Sequence, residues 1–284
     1  MSKSINHWIS NISGVILLMI RIKKISKHVV TPIDVPKVDP EKIKGYDLIP
    51  RLYCTIFICA KKESGKTNAI FKILKECTGK KTHLYIISST VFNDDNWIKI
   101  VEYFEKKGIQ ITVSTTLEEA NIPQKVKELE DEAKQEIGNK KKNEDPKPKL
   151  NLFDKDDEEK QERKPKKIAP EYIFVFDDMS HMLRDKSIAT LIKHHRHFKT
   201  KIIFSSQYPN DLAPEARKNI NIFLLFAGHS ENKLMELYQN MDLKIPFELF
   251  TTLYEDATSK PYSFFFVDTK GEFRRNFNMQ YFLS

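Results

Sequence analysis

The sequence predicts an α/β fold built on a mostly parallel sheet, and three observations carry that prediction. Short, nearly continuous apolar runs recur at residues 54–59, 83–88, 172–176, 202–205 and 222–226, as expected of strands buried on both faces. Between them lie stretches whose apolar residues fall at helical spacing, and strands that alternate with helices pair in parallel. A chain of 284 residues, 40% of them hydrophobic, can bury one substantial core with appendages.

Taken in order, residues 35–50 are rich in Pro, Lys and Asp and lack periodicity. They read as an irregular lead-in, so residues 1–50 form an N-terminal extension and 51–284 the principal domain. The apolar segment 14–20 is shorter than the roughly 20 residues of a bilayer span. Arg21, Lys23 and Lys24 follow it, where an export signal carries its charge first, so neither a membrane anchor nor a signal peptide is expected. Met19 opens an equally sensible stretch, which makes residues 1–18 a dispensable extension.

The run 54–59 (CTIFIC) is followed by a loop at 61–67 and a helix presenting Ile70, Ile73, Leu74 and Cys77, with Gly79 as its stop. After the strand 83–88, Asp94 or Asp95 caps a helix with Trp97, Val101 and Phe104 on one face, ending before Gly108. Ile109, Ile111 and Val113 alternate as a half-exposed strand. From about 117 to 170 a Glu/Lys-rich, potentially helical stretch gives way to NKKKNEDPKPK and DKDDEEKQERKPKK. Too few apolar residues remain there to order the chain, and 139–167 reads as a flexible charged insertion.

Beyond the insertion come the strand 172–176, a helix with Ile188, Leu191, Ile192 and His195 on one face, and the strands 202–205 and 222–226. Two further helices are expected around 232–238 and 246–254, with Pro246 at a first helical position. Residues 262–267, a turn at 268–271, and Phe273 onward form a hairpin.

A formal net charge of +8 and a pI near 9.1 favour an anionic partner, most commonly nucleic acid. Cys54, Cys59 and Cys77 make no Cys-x-x-Cys unit. They suit a reducing compartment, argue against structural zinc, and read as small buried residues.

The chemistry is concentrated in two segments. Ala60-Lys61-Lys62-Glu63-Ser64-Gly65-Lys66-Thr67 matches G-x-x-x-x-G-K-[ST] except at its first glycine, and lies between a strand and a helix as that motif requires. Backbone N–H groups of such a loop, aimed by the helix N-terminus, cradle phosphate oxygens, and a side chain at Gly65 would obstruct the approach. Lys66 is then expected on the β- and γ-phosphates and Thr67 on Mg²⁺. Ala60 is tolerable provided its φ stays negative.

The second segment is Ile173-Phe174-Val175-Phe176-Asp177-Asp178, an apolar strand delivering two carboxylates at its C-terminal end, the edge where open α/β sheets bind ligands. Adjacent acids after a strand are often only loop caps; behind a phosphate loop they complete a site. Asp177 is assigned to Mg²⁺ and Asp178 to the attacking water. Gln207 ends a strand expected beside the phosphate-loop strand, a place suited to sensing the γ-phosphate; an exposed loop glutamine is the plain alternative.

In order and spacing, AKKESGKT at 60–67, IFVFDD at 173–178, IIFSSQ at 202–207 and PEARKNINIFLLF at 214–226 resemble the FtsK–HerA superfamily. Within it they are most similar to the genome-packaging ATPases of large double-stranded DNA viruses and their virophages, which tend to carry Asp-Asp where cellular relatives carry Asp-Glu. The segment IISSTVFNDDNW at 86–97 is similar too, with Ser89 where proline is frequent. The likeness runs from about Tyr53 to the C-terminus, interrupted by the insertion.

This resemblance implies a RecA-like P-loop NTPase core that uses ATP and Mg²⁺ and assembles with copies of itself as a ring, commonly a hexamer, moving double-stranded DNA through its centre. Viral capsid proteins are the implied further partners, and the virion or a viral factory in the host cytoplasm the implied location. In such rings an arginine of one subunit stabilises charge developing at the neighbour's γ-phosphate. Arg217 matches the position of that residue; Arg274 is the competitor, and a plain surface arginine the remaining possibility. The basic run Lys193-His194-His195-Arg196-His197, with Lys199 and Lys201, is a candidate DNA-facing surface or a solvated helix end. The rival functions are a cellular-type DNA motor of the same fold, a nucleotide-gated binding or scaffold protein with little turnover, and a small P-loop kinase. The last is disfavoured by the strand expected between the two motifs.

Overall fold

The computed structural model describes residues 38–142, 167–180 and 182–283. The segment 14–20, Met19 and most of the charged stretch 139–167 lie outside them. Among the described residues the strands are β1 (Cys54–Cys59), β2 (His83–Ser88), β3 (Ile111–Ser114), β4 (Tyr172–Asp177), β5 (Thr200–Ser206), β6 (Ile222–Phe226), β7 (Phe264–Asp268), β8 (Glu272–Arg275) and β9 (Met279–Tyr281). The helices are α1 (Lys66–Cys77), α2 (Asp95–Lys106), α3 (Ile122–Lys142), α4 (Lys186–Lys193), α5 (Pro214–Arg217), α6 (Glu231–Met241) and α7 (Phe247–Ala257).

The strands form one sheet in the order β3-β2-β4-β5-β1-β6-β7-β8-β9. Its first six strands pair in parallel and the last three are added antiparallel. Because side chains alternate along a strand, each central strand serves two cores. Ile56 and Ile58 of β1, Ile173 and Val175 of β4 pack with α1 and α2 on one face. Phe57 and Cys59, Phe174 and Phe176 pack with α3, α4, α6 and α7 on the other. The fold is thus a mixed α/β architecture with a large, mostly parallel sheet covered on both sides.

Asp94 caps α2 by accepting from the Asn96 N–H, as its sequence position suggested. All three cysteines are buried thiols. The Glu/Lys-rich stretch is helical in α3, which buries Ile122, Val126 and Leu129 against the sheet. No helix among the described residues is long and apolar enough to cross a membrane.

Four expectations are corrected. The core does not begin after residue 50: Leu48 and Ile49 are already buried in the α1/α2 layer. Gly79 does not stop α1 by adopting a left-handed cap; Thr78 is the cap residue, in extended conformation. Gly79 is required instead by a close approach, since a Cβ there would lie 2.6 Å from Ala169 Cβ. Pro246 is the cap of α7 rather than its first residue. The basic run is not one surface: His195 and Lys201 are buried. Lys201 donates to the Arg51 carbonyl at 2.7 Å, and Lys199 pairs with Glu171 at 3.0 Å.

Candidate active site

Parity along β4 decides where the first carboxylate points. Ile173 and Val175 face α1 and α2, so Asp177, two residues on, faces them as well. The chain then turns at Asp178, whose φ of 52° is left-handed, and the Asp178 N–H donates to the Ser205 carbonyl at 3.1 Å. This turn lifts Asp178 out of the sheet: its side chain is 37% exposed against 3% for Asp177. One acid is therefore a fixed buried group and its neighbour an accessible one.

The phosphate-type loop lies between β1 and α1. Glu63 and Gly65 have φ of 63° and 90°, left-handed conformations of the kind that turn successive N–H groups toward one point. Gly65 is the residue just before α1, and a left-handed φ suits glycine there. Ala60 is buried and is not among the left-handed residues, which is the condition under which alanine is acceptable in place of the motif's first glycine. Lys61, Lys62 and Glu63 are exposed, while Ser64, Lys66 and Thr67 are half-buried.

Lys66, the first residue of α1, joins the two motifs. Its ammonium is 3.0 Å from Asp177 Oδ1 and 2.6 Å from Asp178 Oδ2. Burial pulls the Lys66 pKa down, but Asp177 and Asp178 outweigh it and the net shift is upward. Trp97, on α2, completes the arrangement: its indole Nε1–H donates to Asp177 Oδ2 at 3.0 Å, and both residues are buried. The apolar periodicity of α2 made Trp97 only a core residue. No sequence signal pairs it with Asp177, because the contact depends on how α2 lies across β4.

The residues present suit a nucleoside triphosphate with a hard divalent cation. Two carboxylates against one ammonium leave a net negative charge for a cation to offset. Asp177 Oδ1 faces Lys66 without a well-aligned hydrogen bond, and the hydroxyls of Ser64 and of Ser205, the register partner of Asp177, are buried without partners. Oxygen donors of this kind, few in number, match Mg²⁺, which keeps several waters and takes one or two carboxylates together with phosphate oxygens.

Gln207 follows β5, which pairs with both β1 and β4; its carbonyl accepts from Cys59 Sγ at 3.2 Å. The strand expected between the two motifs is thus present. Arg217 closes α5 and donates to the Asn210 side chain rather than to the carboxylate cluster, and its Nε is buried without a partner. Arg274 is spent within its own chain. It pairs with Glu272, donates to the carbonyls of Asp47 and Phe277 at 2.8 and 2.9 Å, and lies over the Phe266 ring. It is therefore a structural arginine and not a free competitor for a neighbour's phosphate.

A second residue not anticipated is His229, just past β6. Its Nε2 lies 3.2 Å from the Cys59 carbonyl, so that nitrogen carries the proton, and its Nδ1 is buried without a partner. Burial, reinforced by Lys233 and Lys61, lowers its pKa from 6.5 to about 4, which keeps the ring neutral beside the loop.

No family model matches the chain. A stretch of 93 residues is 27% identical to "Uncharacterized protein 015R" of Frog virus 3 (isolate Goorha), covering 33% of this chain and 29% of that protein. Among solved structures, the genome packaging NTPase B204 from Sulfolobus turreted icosahedral virus 2 in complex with AMP is similar at 13% identity and a TM-score of 0.47. That match covers 82% of this chain and 98% of the other. B204, the DNA-packaging ATPase from Sulfolobus turreted icosahedral virus, is similar at 17% identity and a TM-score of 0.46, covering 76% and 93%.

Proposed function

We propose that this chain is a Mg²⁺-dependent ATP hydrolase that assembles as a homo-oligomeric ring and drives double-stranded DNA, its task being the packaging of a viral genome into a capsid. The observation that carries the hydrolase reading is the meeting of Lys66 with Asp177 and Asp178 at the C-terminal edge of the parallel strands, with β5 between β1 and β4. The motor and packaging parts rest on the resemblance of the four motifs and on the basic balance of the chain.

In this reading the triphosphate lies on the N–H groups of residues 61–67, and Lys66 exchanges its carboxylate partners for phosphate oxygens. Thr67 and Asp177 would hold Mg²⁺, which supplies charge neutralisation on the phosphates when bound. Asp178, the accessible acid, orients a water and takes its proton as the water oxygen attacks the γ-phosphorus and the bond to the β-phosphate oxygen breaks. Gln207 reports the γ-phosphate, and Arg217 acts on the neighbouring subunit's nucleotide.

Steady-state ATP hydrolysis by the full chain, with and without long double-stranded DNA over a salt series, tests this. Stimulation that fades as salt rises and vanishes in Lys66→Ala is expected. Hydrolysis indifferent to DNA would overturn the motor, and its absence at every protein concentration would overturn the hydrolase.

A further inference from the structure

Tyr262 is a bulky residue held in a backbone conformation that its turn reserves for glycine. Ser263 N–H donates to the Lys260 carbonyl at 3.2 Å, closing a four-residue turn with Pro261 second and Tyr262 third. Tyr262 has φ of 61°, and a turn with proline second and a positive φ third calls for Gly or Asn at that third place. A tyrosine there is a steric outlier. The usual compensation, burial of the ring, is absent, since Tyr262 is 74% exposed. Among the described residues its hydroxyl has no hydrogen-bond partner and its ring no aromatic neighbour. Strain retained without a packing return is characteristic of functional positions.

What the ring does touch is the phosphate-type loop. A Cβ on Gly65 would lie 3.2 Å from Tyr262 Cδ1 and 3.8 Å from its Cγ. The sheet explains the meeting. Because β7 runs antiparallel to β6, its start pairs with the end of β6, Phe264 opposite Phe226, and β6 is paired in parallel with β1. The turn before β7 therefore emerges at the edge where β1 releases its loop. An exposed aromatic face beside a phosphate cradle is a surface on which a planar base can stack.

We infer that Tyr262 is the base platform of the nucleotide site, stacking the nucleobase of the triphosphate that the loop 61–67 holds; this rests on the nucleotide-binding reading above. The hydroxyl is dispensable in this role, and the aromatic face is not.

Equilibrium binding to the full chain, using Mg·ATP and, as a base-free probe, Mg·tripolyphosphate, tests it in wild type, Tyr262→Phe, Tyr262→Leu and Tyr262→Gly. Stacking on an aromatic is worth about 1–3 kcal/mol per base, or roughly 5- to 150-fold. Leu and Gly are expected to weaken ATP by about tenfold within that range while leaving tripolyphosphate unchanged, and Phe to keep wild-type affinity. Tyr262→Gly is also expected to melt no lower than wild type, because glycine adopts the left-handed φ without strain. Unchanged ATP affinity in the Leu and Gly variants, or equal weakening of both ligands, would overturn the platform and leave the tyrosine as a prop for Gly65. Wild-type protein that binds neither ligand would overturn the nucleotide reading itself.

Discussion

Two clusters of buried charge stand at opposite edges of the same sheet, and they are built differently. At the edge where the parallel strands begin, the Arg51 guanidinium grips both oxygens of Asp268, Nε to Oδ2 at 2.9 Å. The Lys270 N–H adds a further donor to Asp268 at 2.8 Å, and the Arg51 carbonyl accepts from buried Lys201. Every strong group there is paired. At the edge where the strands end, Lys66 is shared between two acids, Asp177 Oδ1 lacks an aligned bond, and Ser64 and Ser205 keep free hydroxyls. The first cluster is closed and ties the segment before β1 to β5 and β7; the second keeps polar atoms unsatisfied, as the proposed site for a triphosphate and its cation requires. A buried charge cluster therefore signals function through what it leaves unsatisfied rather than through its presence.

The largest expected effects separate the two edges. Asp178→Asn is expected to lower turnover by about 10²- to 10⁴-fold and to leave the unfolding midpoint nearly unmoved, because the carboxylate is accessible. Asp268→Asn breaks a buried, forked pair and is expected to cost about 3–5 kcal/mol in chemical denaturation, with ATP affinity of the folded fraction retained. If Asp178→Asn unfolded the chain while Asp268→Asn left it stable, the contrast between the edges would be inverted.

Acid is expected to act on the open edge next. Folded protein keeps His229 neutral down to about pH 4, while the unfolded chain protonates it near its ordinary 6.5. Between those values the unfolded state binds more protons, so stability falls as pH is lowered through the window, by at most about 3 kcal/mol from this group. Urea midpoints from pH 7 to 4.5 measure the slope, and His229→Gln is expected to flatten it; an unchanged slope removes His229 as its source.

The smallest effect sharpens the open edge itself. Trp97→Phe keeps most of the packing but leaves Asp177 Oδ2 without its donor, a loss of about 1–3 kcal/mol. We expect the Mg²⁺ concentration for half-maximal hydrolysis to change several-fold while kcat at saturating Mg²⁺ is held. A fall in kcat with the Mg²⁺ dependence untouched would show that the indole positions something other than Asp177.

Much of the frame was legible because it depends on local pattern. The runs 54–59, 83–88 and 222–226 coincide with β1, β2 and β6, since continuous apolar segments flanked by turns have few other fates. That the loop and the acids share one edge was legible too, because in a parallel sheet everything that follows a strand directly emerges at the same edge. What was hidden depends on packing between elements distant in sequence. Leu48 and Ile49 sit among lysines and prolines, with no period to mark them as core. Lys201 reads as part of a solvated basic run until the neighbours that bury it are known, whereas the burial of His195 agrees with its place on the apolar face beside Ile188, Leu191 and Ile192. Arg274 reads as free in sequence because two of its partners are the distant or turn-borne backbone carbonyls of Asp47 and Phe277, which leave no trace there. Tyr262 reads in sequence as the start of a hairpin strand; it lies instead in the tight turn before β7, and its meaning depends on what lies across from it.

The central place of β1 has a consequence for how the molecule comes into being. Its two neighbours are β5, which starts at Thr200, and β6, which starts at Ile222. The strand that carries the loop is thus made about 140 residues before the first of its flanking strands. Such distant pairings are slow to form, and a nascent chain that ends before β6 leaves one flank of β1 unpaired. On the proposed function, nucleotide capture is then expected to report completed synthesis, because a chain that stops before β6 leaves the strand carrying the loop without one of its two neighbours.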